Sequence, residues 1–391
     1  MADPVAARAF VDPAGLVAFW RQAYLEDYVR DGGASVKWLR GSEGSGKTRV
    51  LEAVEDTARQ LGYTTARIDA GTVPLGRFDE VYRAVMREMP VERLAQAVAQ
   101  RAARAVGAAP WSAGGQLSVQ DYLVHEGRPL AAIEDGLARC LDFLYASHEL
   151  EPPVAAAARR LALPYLTGSD VARTEAAAAA RWLRGERLPA AERRRTGIYL
   201  AVDRYSARDI LRSLLFLMRM CGMPGMVWTV DGLERLLVTR RLERLDGAGA
   251  SPPTAVRYTA TRRLDAYEGI RELIDETGSL PGLLVVYAGR PEAFDDERAG
   301  LITYPALAMR VQTEVEADAI NPYNDVQDLD RLWQSDWPRH QRALVTAYRN
   351  GADVAELDLS TALASAHISP VRRLVELLTA GSSTGDGVAH A

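Results

Sequence analysis

Lys47 and Thr48 close the octet Gly41-Ser42-Glu43-Gly44-Ser45-Gly46-Lys47-Thr48, and these residue types at this spacing point to phosphate chemistry. Glycines distributed through a turn let several backbone N–H groups converge on one anion with no Cβ in the way. The lysine ammonium then reaches the terminal phosphates of a nucleotide, and the threonine hydroxyl is a hard oxygen ligand for Mg²⁺. The pattern G-x-x-x-x-G-K-[ST] is met at every fixed position. Arg49, the next residue, joins the octet as a candidate nucleotide contact.

Two later segments supply the partners that such a loop needs. Gly225-Met226-Val227-Trp228-Thr229-Val230-Asp231 is an apolar run closed by an acid. That suits a central strand, buried on both faces, delivering Asp231 to a metal beside the phosphates. Gly282 to Ala288 is a second such run, followed by Gly289-Arg290-Pro291-Glu292. By position its end falls next to a γ-phosphate, which makes Arg290 a candidate for the reacting group. Glu234 is the carboxylate nearest after Asp231 and a candidate for orienting water.

The elements that must position these residues follow from periodicity. Ser35 to Leu39 predicts the strand before the loop, and Val50, Leu51, Val54, Ala58 and Leu61 form an apolar stripe at helical spacing after it. The loop therefore ends on a helix N-terminus, whose partial positive charge faces the phosphates. Leu16 to Tyr28 predicts a helix before the first strand. Tyr63 to Ile68 predicts a second strand ending in Asp69, which either faces the ligand edge or caps the next turn. Further expectations are a helix over Arg262 to Ile274, a short strand over Ala308 to Thr313 containing Arg310, and helices from Val326 onward, including Val354 to Ala364. In Ser369-Pro370 the serine suits an N-cap and the proline the first helical position.

Between Phe78 and Met223 the chain is alanine-rich, with helical stretches over Val91 to Val106, Ala131 to Ser147, Val154 to Leu163, Asp170 to Trp182 and Ala207 to Cys221. A parallel crossover needs only a dozen or so residues, so the excess predicts an inserted helical subdomain. It contains a basic run, Arg181, Arg184, Arg187, Arg193, Arg194 and Arg195, which faces DNA, an acidic partner or solvent.

Composition excludes several alternatives. The 391 residues carry 48% hydrophobic and 25% charged side chains, the balance of a soluble globular protein. No apolar stretch is long enough for a membrane span and no signal peptide is evident, so a cytoplasmic protein without a membrane partner is expected. The two cysteines sit among apolar residues and read as buried thiols, and the five histidines lack metal-ligand spacing. A net charge of −5 gives no global attraction to nucleic acid. No N-K-x-D guanine signature appears, so ATP is expected rather than GTP.

Taken in order, the phosphate loop, R-W-L-R-G-E (Arg181 to Glu186), G-M-P-G-M-V-W-T-V-D-G-L-E-R-L (Gly222 to Leu236), Y-A-G-R-P-E (Tyr287 to Glu292) and S-P-V-R-R-L-V-E-L-L (Ser369 to Leu378) resemble the BREX-system P-loop ATP-binding proteins of the BrxC/BrxD-like group, over most of residues 35 to 379. The resemblance implies an AAA+-like P-loop NTPase fold, α/β with a parallel sheet, a large helical insertion and a C-terminal helical lid. The corresponding division is 1–77 for the N-terminal helix and phosphate-loop part, 78–223 for the insertion, 224–320 for the rest of the sheet, 321–380 for the lid and 381–391 for a disordered tail. It implies ATP with Mg²⁺, with Thr48 and Asp231 on the metal and Lys47, Asp231, Glu234 and Arg290 in catalysis. A homo-oligomer or other subunits of an anti-phage defence complex, with DNA as a further partner, are implied likewise. Arg298 and Arg310 are then candidates to reach a neighbour's γ-phosphate, and Arg372 with Arg373 to fold over the phosphates from the lid. The chain departs from the group at two places. Gly232 follows Asp231 where the group carries an acidic pair, and Val371 separates Pro370 from Arg372 where the group reads Pro-Arg. The first departure predicts normal nucleotide binding with slow hydrolysis, or a nucleotide-gated scaffold with little turnover.

Overall fold

The computed structural model describes residues 10–237, 255–311, 325–349 and 369–380. Its centre is a five-stranded sheet in the order β2-β3-β4-β1-β5, all neighbours parallel. The strands are β1 (Ala34–Arg40), β2 (Thr64–Asp69), β3 (Met226–Asp231), β4 (Leu283–Gly289) and β5 (Val326–Asp328). Helix α1 (Leu16–Trp20) leads in, continuing as a π-helical stretch over Arg21–Tyr28, and α2 (Lys47–Gln60) follows β1. Between β2 and β3 the chain runs through α3 (Phe78–Glu88), α4 (Val91–Ala105), α5 (Val119–His125), α6 (Leu130–Arg139), α7 (Phe143–Ala146), α8 (Pro152–Thr167), α9 (Asp170–Leu183), α10 (Ala190–Thr196) and α11 (Ala207–Met220). Then come α12 (Ala260–Asp275), α13 (Pro291–Asp295), α14 (Pro305–Ala308), α15 (Leu329–Ser335), α16 (Trp337–Arg349) and α17 (Pro370–Ala380).

Both faces of the sheet are covered, which is why β3 and β4 read as unbroken apolar runs. Alternation along β4 sends Leu283, Val285 and Tyr287 into one core and Leu284, Val286 and Ala288 into the other. The first core includes α3, α4, α8, α9, α11 and α12. The second is built with α1, α2, α15, α16 and α17, so the phosphate-loop helix and the last helix share one layer. Each buried Leu or Val contributes roughly 1.5–3 kcal/mol.

A buried carboxylate fixes how α2 lies on the sheet. Glu55 is 7% exposed and accepts a hydrogen bond from Arg67 Nε of β2 at 2.8 Å and another from Thr229 Oγ1 of β3. The acid is satisfied on two strands, so α2 keeps its rotation relative to both.

The structure corrects the sequence reading at three places. The predicted strand over Ala308 to Thr313 is not one: through Val311 the described residues are the end of α14 and a turn, because Pro305 occupies the opening turn of α14, where its fixed φ starts a helix. The chain is not yet helical at Val326, since Val326–Asp328 pairs with Trp38–Arg40 as an edge strand. The stretch from Ala131 to Ser147 divides into α6 and α7. Thr313, the expected helix over Val354 to Ala364 and the tail from 381 lie outside the described residues.

Candidate functional site

Because β1, β3 and β4 are parallel, their carboxyl ends lie on one edge, and that edge gathers Gly41, Asp231 and Arg290. The strand order matters here. With β4 between β1 and β3, Arg290 leaves the sheet between the phosphate loop and the metal-side acid.

A direct contact across this edge joins the two residues expected on the metal. Thr48 Oγ1 donates to Asp231 Oδ2 at 2.8 Å, and Asp231 Oδ1 accepts from the Gly232 N–H at 2.8 Å. A hydroxyl beside a carboxylate is an all-oxygen, hard donor set of the kind Mg²⁺ takes. Lys47 Nζ donates to the carbonyls of Gly41 at 2.8 Å and Ser42 at 2.9 Å. Burial lowers its pKa from the usual lysine value, opposed by Glu234 and Asp231, while Arg290 adds to the lowering and Asp330 opposes it. All four groups therefore act on the ammonium.

Gly232 has a conformational reason to be glycine: its φ is +80°, in the left-handed region that side chains disfavour. A Cβ there would stand 3.5 Å from Asp69 Oδ1. Asp69 itself accepts from the Gly71 N–H at 2.7 Å, so of the two roles open to it the structure displays the turn cap. Glu234 lies in a 3-10 turn over Leu233–Leu237, and its Oε2 accepts the Arg290 N–H at 3.2 Å.

The loop is held from the far end of the chain. Asp330 accepts from the Ser42 N–H at 2.7 Å and from Ser42 Oγ at 2.8 Å. Asp330 is placed for this by the start of α15, where the Asp328 carboxylate accepts from the N–H groups of Asp330 and Arg331. One turn on, Trp333 Nε1 donates to the Ser45 carbonyl at 2.8 Å.

Helix α17 closes over the loop. Glu43 Oε2 pairs with Arg290 Nη2 at 2.7 Å and Glu43 Oε1 with Arg372 Nη1 at 3.1 Å, and Arg372 Nε reaches Glu376 at 2.9 Å. The Arg372 stem lies so close to Gly44 that a Cβ there would meet Arg372 Cβ at 2.5 Å. Val371 turns inward, 6% exposed, which leaves Arg372 facing the loop. Among the described residues Arg373 approaches Glu376, at 3.8 Å. Arg310 is engaged elsewhere, with Asp275 and the Ala306 carbonyl, and Arg298 is exposed.

Sequence reasoning missed the cavity beside the loop, of about 260 Å³, bounded by Gly44, Gly46, Arg49 and Val50 together with Phe10, Val11, Leu344, Tyr348 and Val375. Its apolar walls come from four separate parts of the chain and carry no motif. A larger cavity of about 510 Å³, between α4, α8 and α9, shares no residue with the loop.

Compared with known families, the chain matches the model described as BREX system ATP-binding protein BrxC/D over residues 22–103, 149–248 and 254–363, which is most of its length. The match includes the phosphate loop, Asp231, Glu234 and Arg290, leaves out 104–148 and stops before Ser369–Leu378. No curated protein and no solved structure matches.

Proposed function

Because the chain belongs to the BREX system ATP-binding protein BrxC/D family, we propose that it binds ATP with Mg²⁺ at the Gly41–Thr48 loop and hydrolyses it slowly, as one component of a multi-protein defence assembly acting on DNA. The observation that carries this reading is the hydrogen bond between Thr48 and Asp231, because it sets two hard oxygen donors from distant segments beside a buried lysine. Lys47 and the loop N–H groups hold the terminal phosphates, Arg49 flanks them, and the adenine base enters the cavity walled by Phe10, Leu344, Tyr348 and Val375. Thr48 and Asp231 would hold Mg²⁺, which would supply positive charge to offset the negative charge of the phosphates.

Slow turnover is expected from what surrounds Asp231. Gly232 offers no side chain, and the next carboxylate along the chain, Glu234, is tied to the Arg290 N–H at the end of β4. A base that orients water must reach it with a free lone pair; Oε1 of Glu234 keeps that capacity, but the Arg290 N–H on Oε2 holds the carboxylate against the end of β4. Arg290 and Arg372 share Glu43 in this state. A terminal phosphate offers both a stronger acceptor, so their release from Glu43 is the step that brings cations to the phosphates. In this reading α15 to α17 serve as the lid and 78–223 as an inserted subdomain. A homo-oligomer stays part of the proposal through Arg298, since Arg310 is already paired. No described helix is long and apolar enough to cross a membrane.

Titration with an ATP analogue in the presence and absence of Mg²⁺, alongside steady-state turnover, tests the proposal. Mg²⁺-dependent binding with slow turnover is the expected result, and no binding at saturating analogue would overturn it. A nucleotide-gated scaffold differs by binding equally well with no turnover under any condition, and the Glu234 hydrogen bond is the observation that favours it.

A further inference from the structure

The helices between β2 and β3 carry charge that the nucleotide site does not use. Arg184, Arg187, Arg193, Arg194 and Arg195 make no side-chain hydrogen bond or ion pair among the described residues, whereas Arg181 of the same run pairs with Glu186 and Glu192. The remaining acid of the stretch, Asp203, accepts from the N–H groups of Tyr205 and Ser206 at 2.9 and 3.2 Å. The arginines are therefore uncompensated, on a chain whose net charge is −5.

Aromatic rings stand beside them. Tyr199 is 64% and Tyr205 73% exposed, and the Arg204 guanidinium lies 4.5 Å from the Tyr205 ring centroid. Their backbone is fixed. Arg160 Nε donates to the Thr196 carbonyl at 3.1 Å, Trp182 Nε1 to that of Leu200 at 2.6 Å and Arg83 Nη2 to that of Val202 at 3.2 Å. Ile198 and Val202 are buried, and the strap between them turns Tyr199 and Leu200 to solvent. A helix C-terminus favours basic residues by roughly 0.3–1 kcal/mol, which accounts for arginines closing α10. It does not account for Arg184 and Arg187, or for two tyrosine rings held outward at a cost in exposed apolar area.

We propose that Arg184, Arg187, the arginines of α10, Tyr199 of the strap and Tyr205 just after it form a docking surface for single-stranded nucleic acid. The arginines neutralise successive phosphates and the rings stack on bases. An unpaired strand fits better than a duplex, because only unstacked bases present their faces to a ring. An acidic protein surface would meet the charge and leave the rings unused. This inference rests on the proposed DNA-directed assembly only for the choice of probe.

The test is fluorescence anisotropy of the full chain with a labelled oligothymidylate about 16 nucleotides long. Salt-sensitive binding is expected. The combined Arg193→Ala, Arg194→Ala and Arg195→Ala variant should bind more weakly with a shallower salt dependence, each phosphate contact accounting for about 0.7 of the log–log slope. Tyr199→Ala and Tyr205→Ala should each weaken binding about 5- to 150-fold, while the Tyr→Phe variants, which keep the ring, bind like the parent. ATP-analogue binding in the same variants should be unchanged, which separates failure of this surface from failure of the nucleotide site. The inference is overturned if the parent does not bind the oligonucleotide at low salt, or if the variants bind as the parent does. It is equally overturned if a duplex of the same length or polyglutamate competes as well as the unlabelled single strand.

Discussion

The carboxyl edge of the sheet and the helical region between β2 and β3 use polar side chains in opposite ways. At the sheet edge several polar and charged groups are committed to partners far away in sequence: Thr48 to Asp231, Ser42 to Asp330, Glu43 to Arg290 and Arg372. In the helical region small apolar side chains contribute to the packing, as where buried Ala157, Ala158, Ala178 and Ala179 let α8 and α9 approach, while the arginines from Arg184 to Arg195 have no side-chain partner among the described residues. Polar groups that fix geometry are spent inside the molecule, and polar groups left over are available to something outside it.

Changes at the sheet edge should therefore be felt in nucleotide chemistry, and the largest effect belongs to Lys47. Lys47→Ala removes a charge-assisted contact worth about 1.5–3 kcal/mol, so affinity for an ATP analogue should fall about 10- to 150-fold in a binding titration. Because burial already disfavours this ammonium, the melting temperature should not drop. Glu234→Gln keeps an acceptor for the Arg290 N–H and removes the base. Turnover should fall by about 10², the lower end of what a positioned acid or base contributes, with analogue affinity unchanged.

Gly232→Glu sharpens the comparison differently, since it adds the second acid expected after Asp231 from the sequence resemblance but forces a side chain into φ +80°. Strain of about 1–3 kcal/mol should appear as a lower thermal midpoint. Turnover above the parent's would show that the missing carboxylate alone limits hydrolysis. At Glu55, Glu55→Leu strands the buried Thr229 hydroxyl, a loss of about 1–3 kcal/mol by denaturant unfolding. The smallest effect is expected for Glu43→Gln. Its ion pairs are about half exposed and worth roughly 0–1 kcal/mol, so stability should barely move, while analogue affinity rises a few-fold as Arg290 and Arg372 are freed.

What the sequence determined by itself is what contiguous residues can encode. The octet from Gly41 to Thr48 specifies its turn and the helix after it within one short stretch, and the apolar runs ending at Asp231 and Gly289 announce central strands because both faces of a parallel sheet are buried. The basic run from Arg181 was equally plain, though not that, among the described residues, Arg181 alone of the run would find acids. Tertiary structure decided everything that needs chain closure over long separations. It inserted β4 between β1 and β3, recruited the three-residue Val326–Asp328 as an edge strand too short and polar to show a pattern, and brought Asp330, Trp333 and Arg372 onto the phosphate loop. It also assembled a cavity from Phe10, Val50, Leu344 and Val375. Each of these contacts depends on which apolar faces pack together, and sequence periodicity reveals that a face exists without naming the face it meets.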